Sequence, residues 1–232
     1  MFKTKEIFSK YGNEVPQLEF KNFYPTSTLH LNDENKETSF KLDLEDDFII
    51  KNIQYYIAGE FIPTDSTKSY AKDNTVKLID NFVAHLYPQI EVKKHGTLID
   101  DIEFPGIAGT IKGCVELPGL NVYNGKAINS GFETHSKYES KQSEALGNLS
   151  DLGLDFFNDI SIPIYKGGLG ITFTRNNDNN AIVRWEFVKP DKSKETPPEG
   201  KVEIKTFYLR VPFIEYNSEA KINLTDELFK NN

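Results

Sequence analysis

The sequence predicts an all-β fold of antiparallel strands, and three observations predict it. Apolar and polar residues alternate with period two in several separate stretches, the signature of strands buried on one face. Phenylalanine and tyrosine number 17 and 11 against a single tryptophan, and these rings favour pleated, half-buried surfaces. Clusters of Gly, Pro, Asn, Asp and Ser separate the alternating stretches, without the strand–helix–strand rhythm of a parallel sheet. Together they give about eight strands in a sandwich or barrel, crossed by one short helix.

Residues 1–35 read as an irregular N-terminal arm, in which PQLEFKNFYPTSTLHLNDEN mixes turn formers with scattered aromatics. An extended arm laid on a neighbour and a disordered tag are the two readings of it. Alternation begins at residues 39–44, where Phe40, Leu42 and Leu44 face away from Lys41 and Asp43. It resumes over 48–62, with Ile53, Tyr55, Ile57 and Phe61 on one face and Gly59 marking a bulge or close approach. Residues 76–86 are apolar and are assigned to a strand, because strands flank them and Pro88 follows. Residues 90–99 read as a hairpin that turns at Lys94-His95-Gly96, with Gly96 able to take positive φ.

The tract FPGIAGTIKGCVE, 104–116, reads as a short helix entered by Pro105, with Ile107, Ile111 and Val115 at i, i+4 and i+8. Glycines 106, 109 and 113 weaken that helix but let backbones approach. Residues 117–155 form a long connection with a short helix near 143–149, and a connection of this length is often functional. Strands resume at 157–164 and 169–174. The run 175–180 is a turn, after which Val183, Trp185 and Phe187 alternate with Arg184 and Glu186. KPDKSKETPPEGK is a solvated loop, and 202–213 is the last strand, its alternation slipping near Thr206 as at a bulge or a strand buried on both faces.

The composition excludes several classes of function. A net charge of −8 opposes polyphosphate, and no dense Lys/Arg cluster offsets it, so direct nucleic-acid binding is not expected. The lone Cys114 allows no internal disulfide and fits a reducing compartment; it reads as a small buried residue. The first residues, MFKTKEIFSKYGNEV, contain no apolar stretch, so no signal peptide is read there. No run reaches the roughly 20 apolar residues of a membrane span.

Chemistry is equally sparse. His30, His85, His95 and His135 have no His or Cys at ligand spacing, so no metal is expected. The acidic stretches 42–47 and 97–103 lack the Ca²⁺-loop spacing and read as solvated strand ends. Gly167-Gly168-Leu169-Gly170 precedes a strand rather than a helix, so it does not form a phosphate site. No nucleophile elbow or Ser/His/Asp set stands out. No catalytic residue and no cofactor is assigned.

Two stretches carry a resemblance. Residues 81–116 contain Asn81, Ala84, His85 and Leu86, then Gly106, Ile107, Thr110, Lys112 and Gly113. Residues 168–213 contain Arg175, Asp178, Ala181 and Ile182, then Leu209, Val211 and Pro212. In these patterns the chain resembles the double jelly-roll major capsid proteins of Polinton/Maverick elements, virophages and related DNA viruses, over roughly residues 38–215. The resemblance implies an antiparallel β-sandwich of jelly-roll type and a non-enzymatic building block that assembles, with a trimer as the family's form. The chain departs from the family in having strands for only one roll, read here as the first roll of a pair or as a single-roll relative.

The expectations are therefore these. Residues 36–216 form a single jelly roll, and 217–232 a tail or the start of a linker to a second domain. The chain meets copies of itself or sibling capsid subunits, is assembled inside the host cell, and ends in the virion. Aromatics outside the core strands are the expected assembly contacts: Phe20, Phe23 and Tyr24 in the arm, and Tyr123, Phe132 and Tyr138 in the long connection. The competing class is a lectin-like module, binding sugar or protein through Asn121, Tyr123 and Asn124 or through the turn 176–180.

Overall fold

Alternation becomes structure most plainly over residues 169–174, where Leu169, Ile171 and Phe173 are buried and Gly170, Thr172 and Thr174 are half-buried. The computed structural model describes residues 17–43, 48–49, 53–67, 76–79, 81–116, 142–154, 156–159, 163–164, 168–176, 181–184, 187–188, 194–195 and 198–215. In chain order the elements begin with β1 (Gln17–Phe23), β2 (Glu37–Leu42), β3 (Phe48–Ile49), β4 (Gln54–Pro63) and β5 (Val76–Leu78). Helix α1 (Phe82–His85), β6 (Gln89–Lys94), β7 (Thr97–Glu103) and helix α2 (Pro105–Glu116) follow. Then come β8 (Gln142–Asn148), a 3-10 turn (Leu149–Leu152), α3 (Phe156–Asp159), β9 (Pro163–Ile164) and β10 (Leu169–Thr174). Short strands β11 (Ile182–Arg184), β12 (Phe187–Val188) and β13 (Lys194–Glu195) precede the long β14 (Gly200–Glu215).

Two antiparallel sheets hold the core. In the first, β14 is flanked by β1 on one side and by β3 and β4, lying end to end, on the other. Beyond β4 lies β8, and beyond β3 lies β9. The second sheet runs β2-β10-β6-β7. Counting β3–β4 and β8–β9 as one broken strand each leaves eight strands in these two sheets, and their nesting is regular. The first pairs with the eighth, the second with the seventh, the third with the sixth and the fourth with the fifth. That is one long antiparallel hairpin rolled up so that its arms alternate between two sheets, which is a jelly roll. The ribbons β5–β11 and β12–β13 lie outside this scheme.

The tip of the rolled hairpin is the β6–β7 turn. His95 has φ 50 and Gly96 φ 81, the pair of positive values that a two-residue turn needs to match the strand twist. A Cβ on Gly96 meets nothing within 4 Å, so its requirement is purely conformational. Gly96→Val is expected to lower stability by about 1–2 kcal/mol, whereas His95→Asn, better suited to the left-handed region, is expected to raise it by a few tenths. Urea titrations of the two variants check the opposite signs.

The long strand β14 faces the core along its whole length only because it carries a bulge. Val202 and Ile204 point inward, and after the bulge Phe207, Leu209, Val211 and Phe213 do. The inward parity changes from even to odd where the register shifts between Ile204 and Thr206. Without the extra residue, one half of the strand would turn its apolar set to solvent. Gly59 sits opposite, and a Cβ there would collide with the Glu203 carbonyl.

Aromatic rings join the sheets. Phe207 contacts Phe40, Phe173 and Tyr87 at centroid distances of 4.8, 5.1 and 6.0 Å, and Phe173 meets Tyr87 at 5.1 Å. One end of the roll is closed by α1, α2 and the 3-10 turn. Phe82, Val83 and Ala84 of α1 are buried. Gly106 lies against the His85 ring, and Gly109 against the Asn81 side chain and the Asp151 carbonyl. His85 Nε2 and Thr110 Oγ1 share a hydrogen bond of 3.3 Å, and partial burial pulls the His85 pKa below the ordinary imidazole value. Lys112 donates to the Ser150 carbonyl at 2.9 Å.

Several sequence expectations change. Residues 17–23, read as part of an irregular arm, form β1 on the chain's own first sheet. Leu31, farther along, is buried, and Asn32 exchanges two hydrogen bonds with the Ile204 backbone. Residues 76–86 are not one strand. Asn81 adopts a left-handed conformation at φ 58 and turns the chain into α1. The helix expected near 143–149 is instead β8, paired with β4. Small residues there let β4 side chains approach: a Cβ on Gly147 would overlap the Tyr55 ring. The strand expected at 157–164 reduces to β9, with α3 before it. Within the solvated loop, Lys194–Glu195 pairs with Phe187–Val188. Leu44, Trp185, Asp178 and the Cys114 and Val115 side chains lie outside the described residues.

Candidate assembly surfaces

Period-two alternation leaves each sheet of a sandwich with an outer face, and on the first sheet that face is aromatic. The register sets Tyr208 of β14 directly opposite Tyr56 of β4, and Tyr56 opposite Leu146 of β8. Tyr24, just after β1, reaches the same row. The Tyr56 and Tyr208 rings stack at 4.7 Å, and Tyr24 tilts against Tyr208 at 5.7 Å. The Tyr56 hydroxyl donates to the Glu144 carboxylate, which keeps the phenol protonated and pushes its pKa up to about 12. Beside this row the Arg210 guanidinium lies 4.4 Å from the Phe20 ring centroid. The face thus offers fixed rings, a cation and hydroxyls, the composition of a protein–protein contact.

Of the six expected contact residues, the structure brings two to this face. Phe20 and Tyr24 are 39% and 62% exposed. Phe23 turns the other way: it stacks on Phe213 at 6.2 Å and packs against the core. Strand parity explains the split, since Phe23 is paired with inward-facing Leu209 and Phe20 with Pro212. Tyr123, Phe132 and Tyr138 lie outside the described residues, as do Asn121, Asn124 and the turn 177–180.

Sequence reasoning missed a second surface. Ile107 and Ile111, spaced as if to pack inward, are exposed on α2 together with Phe104 at its start and Leu98 and Ile99 on β7. The glycines, not the isoleucines, face the core, because only a side without Cβ atoms fits against His85 and Asn81. The signal was present in Gly106 and Gly109 at i, i+3, a stripe as regular as the isoleucines on the opposite side.

Four of the motif residues, Asn81, His85, Gly106 and Arg175, turn out to be packing residues. Asn81 and His85 meet Gly109 and Gly106 across the α1–α2 contact. Arg175, read as part of a turn, is buried at the end of β10, and its Nη2 donates to the Val202 carbonyl at 3.0 Å. Among the described residues no group of three or more His, Cys, Asp or Glu side chains gathers to hold a metal, and no helix is long and apolar enough to cross a membrane.

No family model matches the chain, and no curated protein matches its sequence. Solved structures do match its fold. The PBCV-1 protein VP54, fitted into a cryo-EM reconstruction of the virophage Sputnik, aligns with a TM-score of 0.55 at 10% identity, covering 91% of this chain and 46% of that one. The quasi-atomic model of the PBCV-1 virus capsid aligns at 0.52 and 9% identity, with the same coverage. The Faustovirus major capsid protein aligns at 0.51 and 10% identity, covering 90% of this chain and 56% of that one. The chain spans about half the length of these solved chains. In fold it is a jelly roll like those of viral double jelly-roll major capsid proteins.

Proposed function

We propose that this chain is a capsid-type structural subunit that assembles with copies of itself or with sibling subunits, is put together inside the host cell, and ends in the virion. It performs no catalysis. The observation that carries this reading is the nested eight-strand pairing, the fold it shares with the PBCV-1 and Faustovirus capsid structures. The aromatic outer face supplies a contact surface for it, with Phe20 and Tyr24 as anchors. The domain in this reading is one roll that starts with β1 and closes with β14, with 217–232 a tail or the start of a linker to a second domain.

Sedimentation across a concentration series, with electron microscopy of the heaviest peak, tests the proposal. The expected result is concentration-dependent particles or capsomers. The double variant Phe20→Ser/Tyr24→Ser should weaken assembly at least about tenfold while leaving the circular dichroism spectrum unchanged, since truncating a central aromatic anchor costs about 2 kcal/mol or more. A monomer at every concentration, with saturable hits on a glycan array, would replace this reading with a sugar-binding one.

A further inference from the structure

We infer that the contact between α1 and α2 is an acid-sensitive latch, in which protonation of the His85 ring loosens α2 from the end of the roll. The inference is independent of the capsid-subunit reading and concerns a device within the fold.

His85 is the last residue of α1, and its half-buried ring is wedged against the first turn of α2. A Cβ on Gly106, the second residue of that helix, would overlap Nδ1, Cγ and Cε1 of the ring. Nε2 shares its hydrogen bond of 3.3 Å with Thr110 Oγ1, one turn further along. Among the described residues this is the ring's one hydrogen bond, so Nδ1, against Gly106, meets no acceptor. The neutral ring suits this place and the charged ring does not. Protonation sets a second N–H, carrying part of a positive charge, against the N-terminal turn of a 12-residue helix, where the peptide dipoles are themselves positive. It does so in a partly desolvated site.

Neighbouring charges do not offset that cost. Lys112 on α2 gives its ammonium to the Ser150 carbonyl at 2.9 Å. Asp151 in the 3-10 turn accepts from the Asn148 N–H at 3.1 Å, and Asp100 on β7 from the Phe156 N–H at 2.9 Å. Arg175, at the end of β10, gives Nη2 to the Val202 carbonyl. Asp101 and Glu103 of β7 are exposed. Burial alone pulls the His85 pKa down. The closed latch therefore takes the neutral ring. Its contribution is complete above the ordinary imidazole value of 6.5 and is lost as pH falls below that through the lowered value.

A latch also needs a hinge, and Phe104 at the entry to α2 supplies one. It is held in the left-handed region at φ 55, a costly conformation for a bulky residue. Its N–H donates to the Pro88 carbonyl at 2.7 Å, and its carbonyl accepts from the N–H groups of Ile107 at 3.0 Å and Ala108 at 3.4 Å. The closed position of α2 is thus strained at its start and held by packing further along, so weakening that packing lets the helix move.

The test is hydrogen exchange of the full chain, read by mass spectrometry over 104–116 at about pH 8 and about pH 5.5, on either side of the imidazole range. Relative to the intrinsic rate at each pH, exchange of α2 in the wild type is expected to rise at least about fivefold on acidification, while β6 and β10 stay protected. His85→Gln is expected to exchange alike at both pH values. His30→Gln, at an exposed site whose ring meets Asp33 at 2.7 Å, is expected to behave as the wild type. An α2 insensitive to pH in the wild type, a rise that persists in His85→Gln, or a parallel rise in β6 and β10 overturns the inference. The wild-type ring gives a second reading by NMR that does not depend on the variant folding. Its titration is expected to fall below the ordinary imidazole value and to track the exchange of α2, and a midpoint at or above that value overturns the inference as well.

Discussion

Phe207→Ala is expected to lower the unfolding free energy by about 3–5 kcal/mol, the largest effect of any single truncation in this chain. Phe207 is the inward residue of β14 that follows the bulge, and its ring stands edge-on to Phe40 and Phe173 of the opposite sheet. Removing it deletes apolar area, opens a cavity at the centre of the sandwich, and breaks several aromatic pairs at once. The neighbours are themselves large and locked, so little collapse is available to fill the space. Thermal unfolding should move down by about 10 °C for a chain of this size. A shift of only a degree or two would mean that the sheets do not meet at this ring.

Arg175→Ala should lower stability by about 3 kcal/mol. The side chain is buried, its Nη2 donates to the Val202 carbonyl, and its Cζ lies 5.9 Å from the Tyr87 ring centroid. Its backbone also closes the end of β10: its N–H donates to the Lys36 carbonyl at 2.9 Å, and its carbonyl accepts from Asn35 at 3.0 Å. One residue thus ties the second sheet to the first strand segment of β14. Arg175→Lys is not expected to restore stability, because an ammonium lacks the planar fork that reaches a carbonyl while lying beside a ring. Chemical denaturation of both variants checks this. A lysine variant as stable as the parent would show that charge alone is what the site needs.

The sequence carried those parts of the fold in which burial on one face dictates the pattern. β10, β6 and the inward residues of β4 were legible because a strand at a sandwich face has no other way to hide alternating apolar side chains. The β14 bulge was legible for the same reason, as a slip in parity. β8 was not: SEALGN has no β-branched residue, and its conformation comes from pairing with β4, where Gly147 makes room for Tyr55. α1 was hidden because its residues are buried on every side, which erases periodicity. The same ambiguity applied to the stripe on α2, where glycine and isoleucine faces are equally regular and only tertiary contact decides between them. Of the expected contact residues, Phe20 and Phe23 differ in fate by strand parity alone, which composition does not reveal. The role of Arg175 was masked by the asparagine-rich turn that follows it.

The pairing of β1 with β14 has a consequence for biosynthesis. Residues 17–23 leave the ribosome early, yet their partner, residues 209–215, is among the last described segments to emerge. At roughly 5–20 residues per second that is a wait of about 10–40 s, during which the first sheet lacks its middle ribbon and its unpaired backbone is open to other nascent chains. Co-translational chaperone cover over that interval, more than the final free energy, would then set how much of this protein reaches its native form.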